Sequence, residues 1–371
     1  MAERVALAII GGGCAGLSLA SRLARGGYRG RVAVIEPRER YTDDRSWAFW
    51  AREPHRLASA SWDQWRFSRS GEDPLVHQSR SWRYQYVRAS DFYADAVESL
   101  AAAQTVDLML GAKVTAVTAR GGAVKIETTA GPLAARRVVD TRPPARSARA
   151  QLYQGFLGVE VEAPGRFDPS TVGLMEEMRL GEHGFEFTYV LPFTKDRALV
   201  EHTVFSTRPA APQSLAPNLD ALLARRGLAF AREVRREGAI LPMGLLETPS
   251  PPLAGVVRAG AGAGAMRPAT GYAFRRIEAW ADHCAQSLLA GNEPVSEAGR
   301  SDAAHWFDSV FLRALSRDGA PAPDWFFSMA RGLGADGFAH FMSDEARARD
   351  YGAVLTSLPP APFIAAALRA A

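Results

Sequence analysis

Cysteine is scarce: the 371 residues include two, Cys14 and Cys284. Two such distant thiols supply neither a disulfide framework nor a metal cluster, so a reducing compartment is expected. The seven histidines show no metal-ligand spacing, and no metal site is expected. No stretch reaches the roughly eighteen apolar residues of a membrane span. The apolar run at 5–10 is too short for a secretory signal, and none is expected. No internal repeat is visible. The net charge of +4 rests on scattered arginines, as in RLARGGYRGR and REVRREG. They form no basic stripe with a nucleic-acid-binding motif, which argues against a nucleic-acid partner. Solvated surface accounts for most of them; a basic face resting on an anionic bilayer is the sharper reading.

What remains is an ordinary globular composition, with 47% hydrophobic and 23% charged residues, long enough for about two domains of roughly 150 residues. The run at 5–10 followed by glycine predicts a buried parallel strand. Leu19 with Leu23 and Ala20 with Ala24 predict a helix over 15–25, stopped by Gly26 and Gly27. Residues 32–36 predict a second buried strand, completing a βαβ unit. Strands are expected at 114–117 and 124–129 around Gly121-Gly122, and at 137–140, with a crossover in TRPPARSARA. FEFTYVLPF and RALVEHTVF alternate and flank a turn at 194–196, a hairpin signature. Residues 218–237 read as helix, ETPSPPL as a loop, 274–289 as a long amphipathic helix, and roughly the last seventy residues as helical.

Gly11, Gly13 and Gly16 form GxGxxG. The first glycine permits the tight turn, the second lets a diphosphate approach, and the third lets helix and strand pack closely. The helix N-terminus, with Cys14 and Ala15, faces the negative charge. Glu36 lies twenty residues after Gly16, at the end of the next strand. There a carboxylate holds a ribose hydroxyl pair, and it disfavours the 2′-phosphate of NADP. Some 250 residues on, RAGAGAGAMRPATGYAF leads into a helix. In glutathione-reductase-type flavoproteins such a late segment returns to cover the flavin, so FAD is favoured over NAD. The backbone of Gly262, Gly264, Ala265 and Met266, with Thr270 and Gly271, is the expected cover. No Asp occurs between Arg258 and Thr270 to hold a ribityl chain, so these amides carry more of the binding.

DRSWAFW, LVEHTVF, EGAILPMG and RPATGYAF occur in the order of the corresponding motifs of the lycopene cyclases, which the chain resembles. The resemblance continues through YQGFLGVEVE and FDPSTVGLMEEMR to FFSMARGL, FMSD and PPAPFIAAAL. It implies an α/β fold with a Rossmann-type FAD-binding domain of glutathione-reductase type, a β-sheet substrate domain and a helical C-terminal region. The expected division is 1–60, 101–150 and 254–292 for FAD, 61–100 and 151–253 for substrate, and 293–371 for the helical region. It also implies closure of β-ionone rings on a linear carotenoid, without net redox change, on an enzyme whose FAD is reduced, with NAD(P)H an open choice of reductant.

Such a reaction needs an acid, a base and dry walls that tolerate a cation. Trp47, Phe49 and Trp50 can form walls, since each aromatic face attracts a cation by about 0.5–2 kcal/mol. Ordinary core explains any one of them equally well. Leu199, Glu201, Thr203 and Phe205 share one face of an alternating strand; Val200, His202 and Val204 share the other. A glutamate in so apolar a strand is costly unless it has a task. Burial raises its pKa toward acid/base use. By resemblance Glu201 matches the catalytic glutamate of the family's FLEET-like motif and is assigned proton transfer during cyclisation, as base or relay, with reduced flavin the candidate proton donor or cation stabiliser. His202 departs from that motif and reads as structural. Glu176 and Glu177 stand where the family has a single Asp, and Glu177 is taken as a further site carboxylate. Asp44 and Arg45 are expected to pair and fix the loop beneath the flavin. Asp140 and Arg142 are explained equally by local structure.

Two alternatives remain on the same residues: a flavin monooxygenase or prenyl-chain reductase, and a non-catalytic lipid carrier. A linear carotene does not dissolve in cytosol, so a cytoplasmic protein peripherally attached to the membrane is expected. Phe326, Phe327, Phe338, Phe341 and Phe363 are the expected contact surface, with an ordinary helical core as the competing reading.

Overall fold

The computed structural model describes residues 3–143, 150–244, 253–296 and 302–368. ETPSPPL, apart from its last residue, and most of the 141–150 crossover lie outside them. The apolar runs at the N-terminus form the centre of a seven-stranded sheet, because strands buried on both faces need no polar alternation. Its order runs Val106–Leu110, Val32–Glu36, Glu3–Ile10, Gly131–Asp140, Ala123–Thr128, Val114–Arg120, with Val256–Arg258 added beside Gly131–Asp140. The pairings among the first four strands, and that of Val256–Arg258, are parallel. The helix Cys14–Arg25 follows the first strand and packs against the helix Phe274–Leu289 through a buried cluster that includes Leu19, Leu23, Ile277 and Ala281. The helix Ala89–Ala101 packs on Cys14–Arg25 as well. Residues 61–100 therefore serve both the first sheet and the second.

A second seven-stranded sheet runs in the order Arg232–Met243, Leu152–Glu162, Arg197–Ser206, Gly184–Pro192, Thr171–Gly181, Gln64–Arg69, Leu75–Gln78. All its pairings are antiparallel except that of Thr171–Gly181 with Gln64–Arg69. One face carries Leu157, Val159, Val200 and Val204 against Leu219 and Leu222 of the helix Ala216–Arg225. The other face is covered partly by the helix Ala322–Met342, which is kinked at Gly334. A small sheet of Ser46–Ala51, Arg83–Arg88 and Ala60–Trp62 is wedged between the layers. Its strands alternate, so Phe49 and Val87 enter the core of the first layer, whereas Trp50, Tyr84 and Tyr86 enter that of the second.

Two expectations are corrected. The helix predicted over 218–237 ends at Arg225, and Arg232–Met243 is a strand. Gly227, at φ +67, breaks the helix. The arginine-rich segment after it pairs along Leu152–Glu162, so tertiary pairing overrides a local helical pattern. The phenylalanines expected to meet a membrane are core: Phe326, Phe327, Phe338 and Phe341 are buried. Phe363 is half-buried against Trp325, with ring centroids 4.9 Å apart. Among the described residues of this region, the large apolar side chains that are exposed are Trp306, Leu355, Ile364 and Leu368.

Candidate functional site

The glycine turn has the geometry a diphosphate needs. Gly11 sits at φ +102, which favours glycine. A Cβ on Gly16 would lie 1.9 Å from the Gly11 carbonyl oxygen, so only glycine lets helix and strand approach this closely. A Cβ on Gly13 would meet no protein atom within 4 Å, so that flank of the turn is open. Gly13 caps the twelve-residue helix Cys14–Arg25, whose first turn holds no acidic side chain to compete with an anion. Glu36 is buried and accepts the Gly12 N–H at 2.7 Å and the Arg38 N–H at 2.9 Å. Arg38 pairs with it at 2.8 Å and lies over the rings of Tyr41 and Tyr93. Although burial opposes the charge, these donors hold the Glu36 carboxyl below its usual range. A charged, oriented acceptor at this place suits a ribose.

The late glycine-rich segment does return to this turn. Val256–Arg258 joins the first sheet, and Ala259 N–H donates to the Asp140 carbonyl at 3.0 Å. A Cβ on Gly262 would lie 2.3 Å from the Arg142 carbonyl oxygen, and Gly264 is left-handed at φ +92. Asp140 and Arg142 pair at 2.7 Å. The residues present thus fit a dinucleotide.

The charges that precede Trp47 divide between two tasks. Asp44 pairs with Arg45 at 2.7 Å and reaches Arg38 at 3.6 Å. Asp43 pairs with Arg88 at 2.5 Å and Arg235 at 3.3 Å, and Ser46 donates to Glu237 at 2.8 Å. One tetrapeptide therefore ties the nucleotide turn to the second sheet.

Three adjacent strands of that sheet build the carboxylate floor. In register, Gly158 of Leu152–Glu162 pairs with Glu201 on one side and Glu237 on the other. Directly opposed antiparallel residues share a face, so both glutamates point the same way across a glycine. Glu201 is 8% exposed and accepts a hydrogen bond from Thr203 Oγ1 at 2.8 Å. Burial first, and then the Glu237 carboxylate, push its pKa up to about 8. Glu237 is held by Ser46 and by Arg235, the latter at 2.7 Å. Arg235 in turn pairs with the buried Glu160 at 2.7 Å. His202 is buried on the opposite face, where desolvation pushes its pKa down to about 4.

Aromatic side chains close over Glu201. Tyr189 lies opposite Glu201 in register, and Tyr84 and Tyr272 line the same cavity. Trp50 packs against Tyr84 at 4.5 Å and Tyr272 at 5.8 Å. Trp47 and Phe49 lean instead on Phe274, at 5.3 and 5.2 Å. The expected aromatic wall is thus split, with Trp50 nearest the carboxylates and Trp47 and Phe49 on the nucleotide side.

A cavity of about 990 Å³ joins the two regions. It brings together Gly11, Gly13, Cys14, Ala15, Glu36, Arg45, Trp47, Phe49, Trp50, Glu201, Met266, Thr270 and Gly271. Gly16, Gly262, Gly264 and Ala265 do not line it, and Gly264 is exposed. Glu177 is not brought in, which corrects its assignment among the reacting carboxylates. It occupies a bulged strand at φ +53 and pairs with Arg225 and Arg226 at 3.2 and 2.7 Å. Its neighbour Glu176 is buried between Arg66 and Arg226. Sequence reasoning missed Glu237 and the three tyrosines. The signal for Glu237 was the EGAILPMG segment read as an alternating strand. Among the described residues no group of His, Cys, Asp and Glu could hold a metal, and no helix is long and apolar enough to cross a membrane.

Comparison with known proteins adds the lineage. The family model described as "Lycopene cyclase protein" matches residues 6–368. A lycopene beta-cyclase of Pseudescherichia vulneris is 28% identical over 242 residues, which is 62% of this chain and 63% of that protein. One of Pantoea ananas is 28% identical over 247 residues, 63% of this chain and 64% of that protein. The matched stretch thus spans less than two thirds of these relatives' length. Among solved structures, a geranylgeranyl bacteriochlorophyll reductase-like protein of Thermoplasma acidophilum superposes with a TM-score of 0.63 at 14% identity, covering 96% of each chain. A probable FAD-dependent monooxygenase of Pseudomonas aeruginosa gives 0.55 at 16% identity, covering 95% of this chain and all of that one. At such identities the likeness shows the fold, which is the expected glutathione-reductase-type α/β arrangement with a helical C-terminal region.

Proposed function

The chain belongs to the lycopene cyclase family, and on that premise we propose that it closes β-ionone rings on the linear ends of lycopene or a related carotenoid, using bound FAD in its reduced form. The observation that carries this reading is Glu201, buried in one cavity with aromatic side chains and the nucleotide turn, where burial pushes its pKa up to about 8.

The chemistry follows from the residues. The Glu201 carboxyl gives its proton to a terminal alkene carbon, leaving a tertiary cation. The neighbouring alkene attacks, the ring C–C bond forms, and a ring proton is lost to the carboxylate just created. Protons and electrons balance, so nothing is oxidised or reduced. Trp50, Tyr84, Tyr189 and Tyr272 exclude water, and their faces stabilise the cation by about 0.5–2 kcal/mol each. Glu36, Arg38, Gly13 and the helix behind it would hold the adenosine side of the cofactor, and residues 260–271 would cover its other end. Bound and reduced, the flavin would supply electron density that stabilises a cation.

The carotenoid reaches the site from a bilayer. The exposed Leu355, Ile364 and Leu368 form the proposed contact, and flotation with anionic liposomes checks it. The whole activity is tested by expression in a bacterium that accumulates lycopene. The expected result is conversion to a β-ring product, seen as a red-to-orange shift and confirmed by pigment chromatography. Unchanged lycopene in a strain containing folded, flavin-loaded protein would refute the reading.

A further inference from the structure

Glu237 has no place in the chemistry written above, yet it is a buried carboxylic side chain that lines the same cavity as Glu201. Its setting is specific. The two residues share the register row of Gly158, so their Cα atoms lie about two strand spacings apart, roughly 9.6 Å. Glycine puts no side chain between them. A Cβ at 158 would lie 3.2 Å from the Glu201 Cβ and 3.3 Å from its Oε2, so any larger residue would push Glu201 aside. Glu237 is anchored from both layers, by Arg235 on its own strand and by Ser46 from the loop that leaves the nucleotide turn.

Resting on the cyclase reading, we propose that Glu237 is a positioning residue: a fixed negative charge that acts across the gap at Gly158 to keep the proton on Glu201. The other groups near Glu201 do less. Thr203 donates a neutral hydrogen bond, and the buried Tyr84 and half-buried Tyr189 and Tyr272 are phenols whose own proton loss is pushed up by desolvation. Arg235 opposes the effect from its row, but its charge is shared among Glu237, Glu160 and Asp43. The Glu237 carboxylate comes directly after burial among the influences that raise Glu201. Through Ser46, the loop from the cofactor turn holds that charge in place. Loop order at the nucleotide side is thereby coupled to the protonation of the acid.

The test is the pH profile of cyclisation in the reduced holoenzyme, for wild type, Glu237→Gln and Glu237→Asp. An effective dielectric of about 20 at roughly 9 Å, partly offset by Arg235, gives an effect of about one pH unit. The wild-type alkaline limb near 8 is expected to move about one unit toward acid in Glu237→Gln and to stay within about half a unit in Glu237→Asp. A uniform loss of rate in Glu237→Gln with an unmoved limb overturns the proposal. Should Glu237→Gln not fold, Glu237→Asp alone decides: displacement by a full unit overturns it. Infrared titration of the protonated carboxyl band, assigned by its absence in Glu201→Gln, reads the same proton without turnover. Its midpoint is expected to fall by the same amount in Glu237→Gln, and an unchanged midpoint is contradictory. Because that readout needs no substrate, failure of this inference is distinguishable from failure of the cyclase reading.

Discussion

Replacing Glu201 by Gln keeps the side chain's size and its acceptor for Thr203 Oγ1, but removes the titrating proton. Its effect on stability must therefore depend on pH. The folded carboxyl is pushed from its ordinary value near 4.5 to about 8. Between those values the unfolded chain has lost this proton and the native chain still holds it. The native state binds more protons than the unfolded state, so wild-type stability falls as pH rises across the window. The slope attributable to Glu201 is about 1.4 kcal/mol per pH unit, and the whole window sums to an upper limit of roughly 5 kcal/mol. Below about pH 4.5 this contribution is fully present; above about 8 it is lost and the curve flattens. Glu201→Gln lacks the loss. Urea unfolding of both proteins at pH 5, 6, 7, 8 and 9 should show near equality at pH 5 and a growing advantage for the variant up to pH 8, then a plateau. A stability difference that is the same at every pH refutes the assignment of a buried, protonated Glu201.

The glycine turn gives a paired prediction. Gly13→Ala meets no protein atom within 4 Å, so its melting temperature should match wild type while flavin affinity drops about tenfold or more. Gly16→Ala puts a methyl 1.9 Å from a backbone oxygen and should yield little folded, flavin-bearing protein. Equal flavin retention in Gly13→Ala, by visible absorbance after dialysis, contradicts the placement of the diphosphate. Arg267 is buried and pairs with the buried Asp308 at 3.0 Å. Arg267→Met strands a carboxylate and should cost about 3–5 kcal/mol in urea unfolding, with much of the loss recovered in the double variant Arg267→Met, Asp308→Leu. Equal loss in the single and double variants would show that the pair's charge is not the cause.

The parallel strands and the first helix were legible because a fully buried strand must be apolar throughout and a helix on it must repeat its apolar stripe. Glu201 was legible for the same reason: a lone carboxylate stands out against Leu199, Thr203 and Phe205. Glu237 was hidden in REVRREGAILPM, where three nearby arginines give an edge strand the look of a helix. Only the register reveals that the charge on Glu237 and the absent side chain of Gly158 belong to one arrangement. Glu177 misled because sequence carries no sign of a bulge, and the bulge is what turns it toward Arg225 and Arg226. The C-terminal phenylalanines misled in a simpler way. A helix that covers a sheet and one that meets a bilayer both need an apolar face, and only packing against Phe185 and Phe205 separates them for Phe326. The charged run before Trp47 is now accounted for residue by residue: Asp44 and Arg45 steady the nucleotide side, and Asp43 and Ser46 reach the carboxylate floor.

The central claim is that the reaction is an acid/base cyclisation that leaves the flavin's electrons where they were. The most direct measurement is anaerobic turnover with photoreduced FAD as the sole reducing equivalent, counting β-rings formed per flavin while the flavin spectrum is followed. Many rings per flavin, with the reduced spectrum unchanged, is the predicted result. Product that stops at one equivalent per flavin, or that appears only in proportion to NAD(P)H and oxygen consumed, would contradict it.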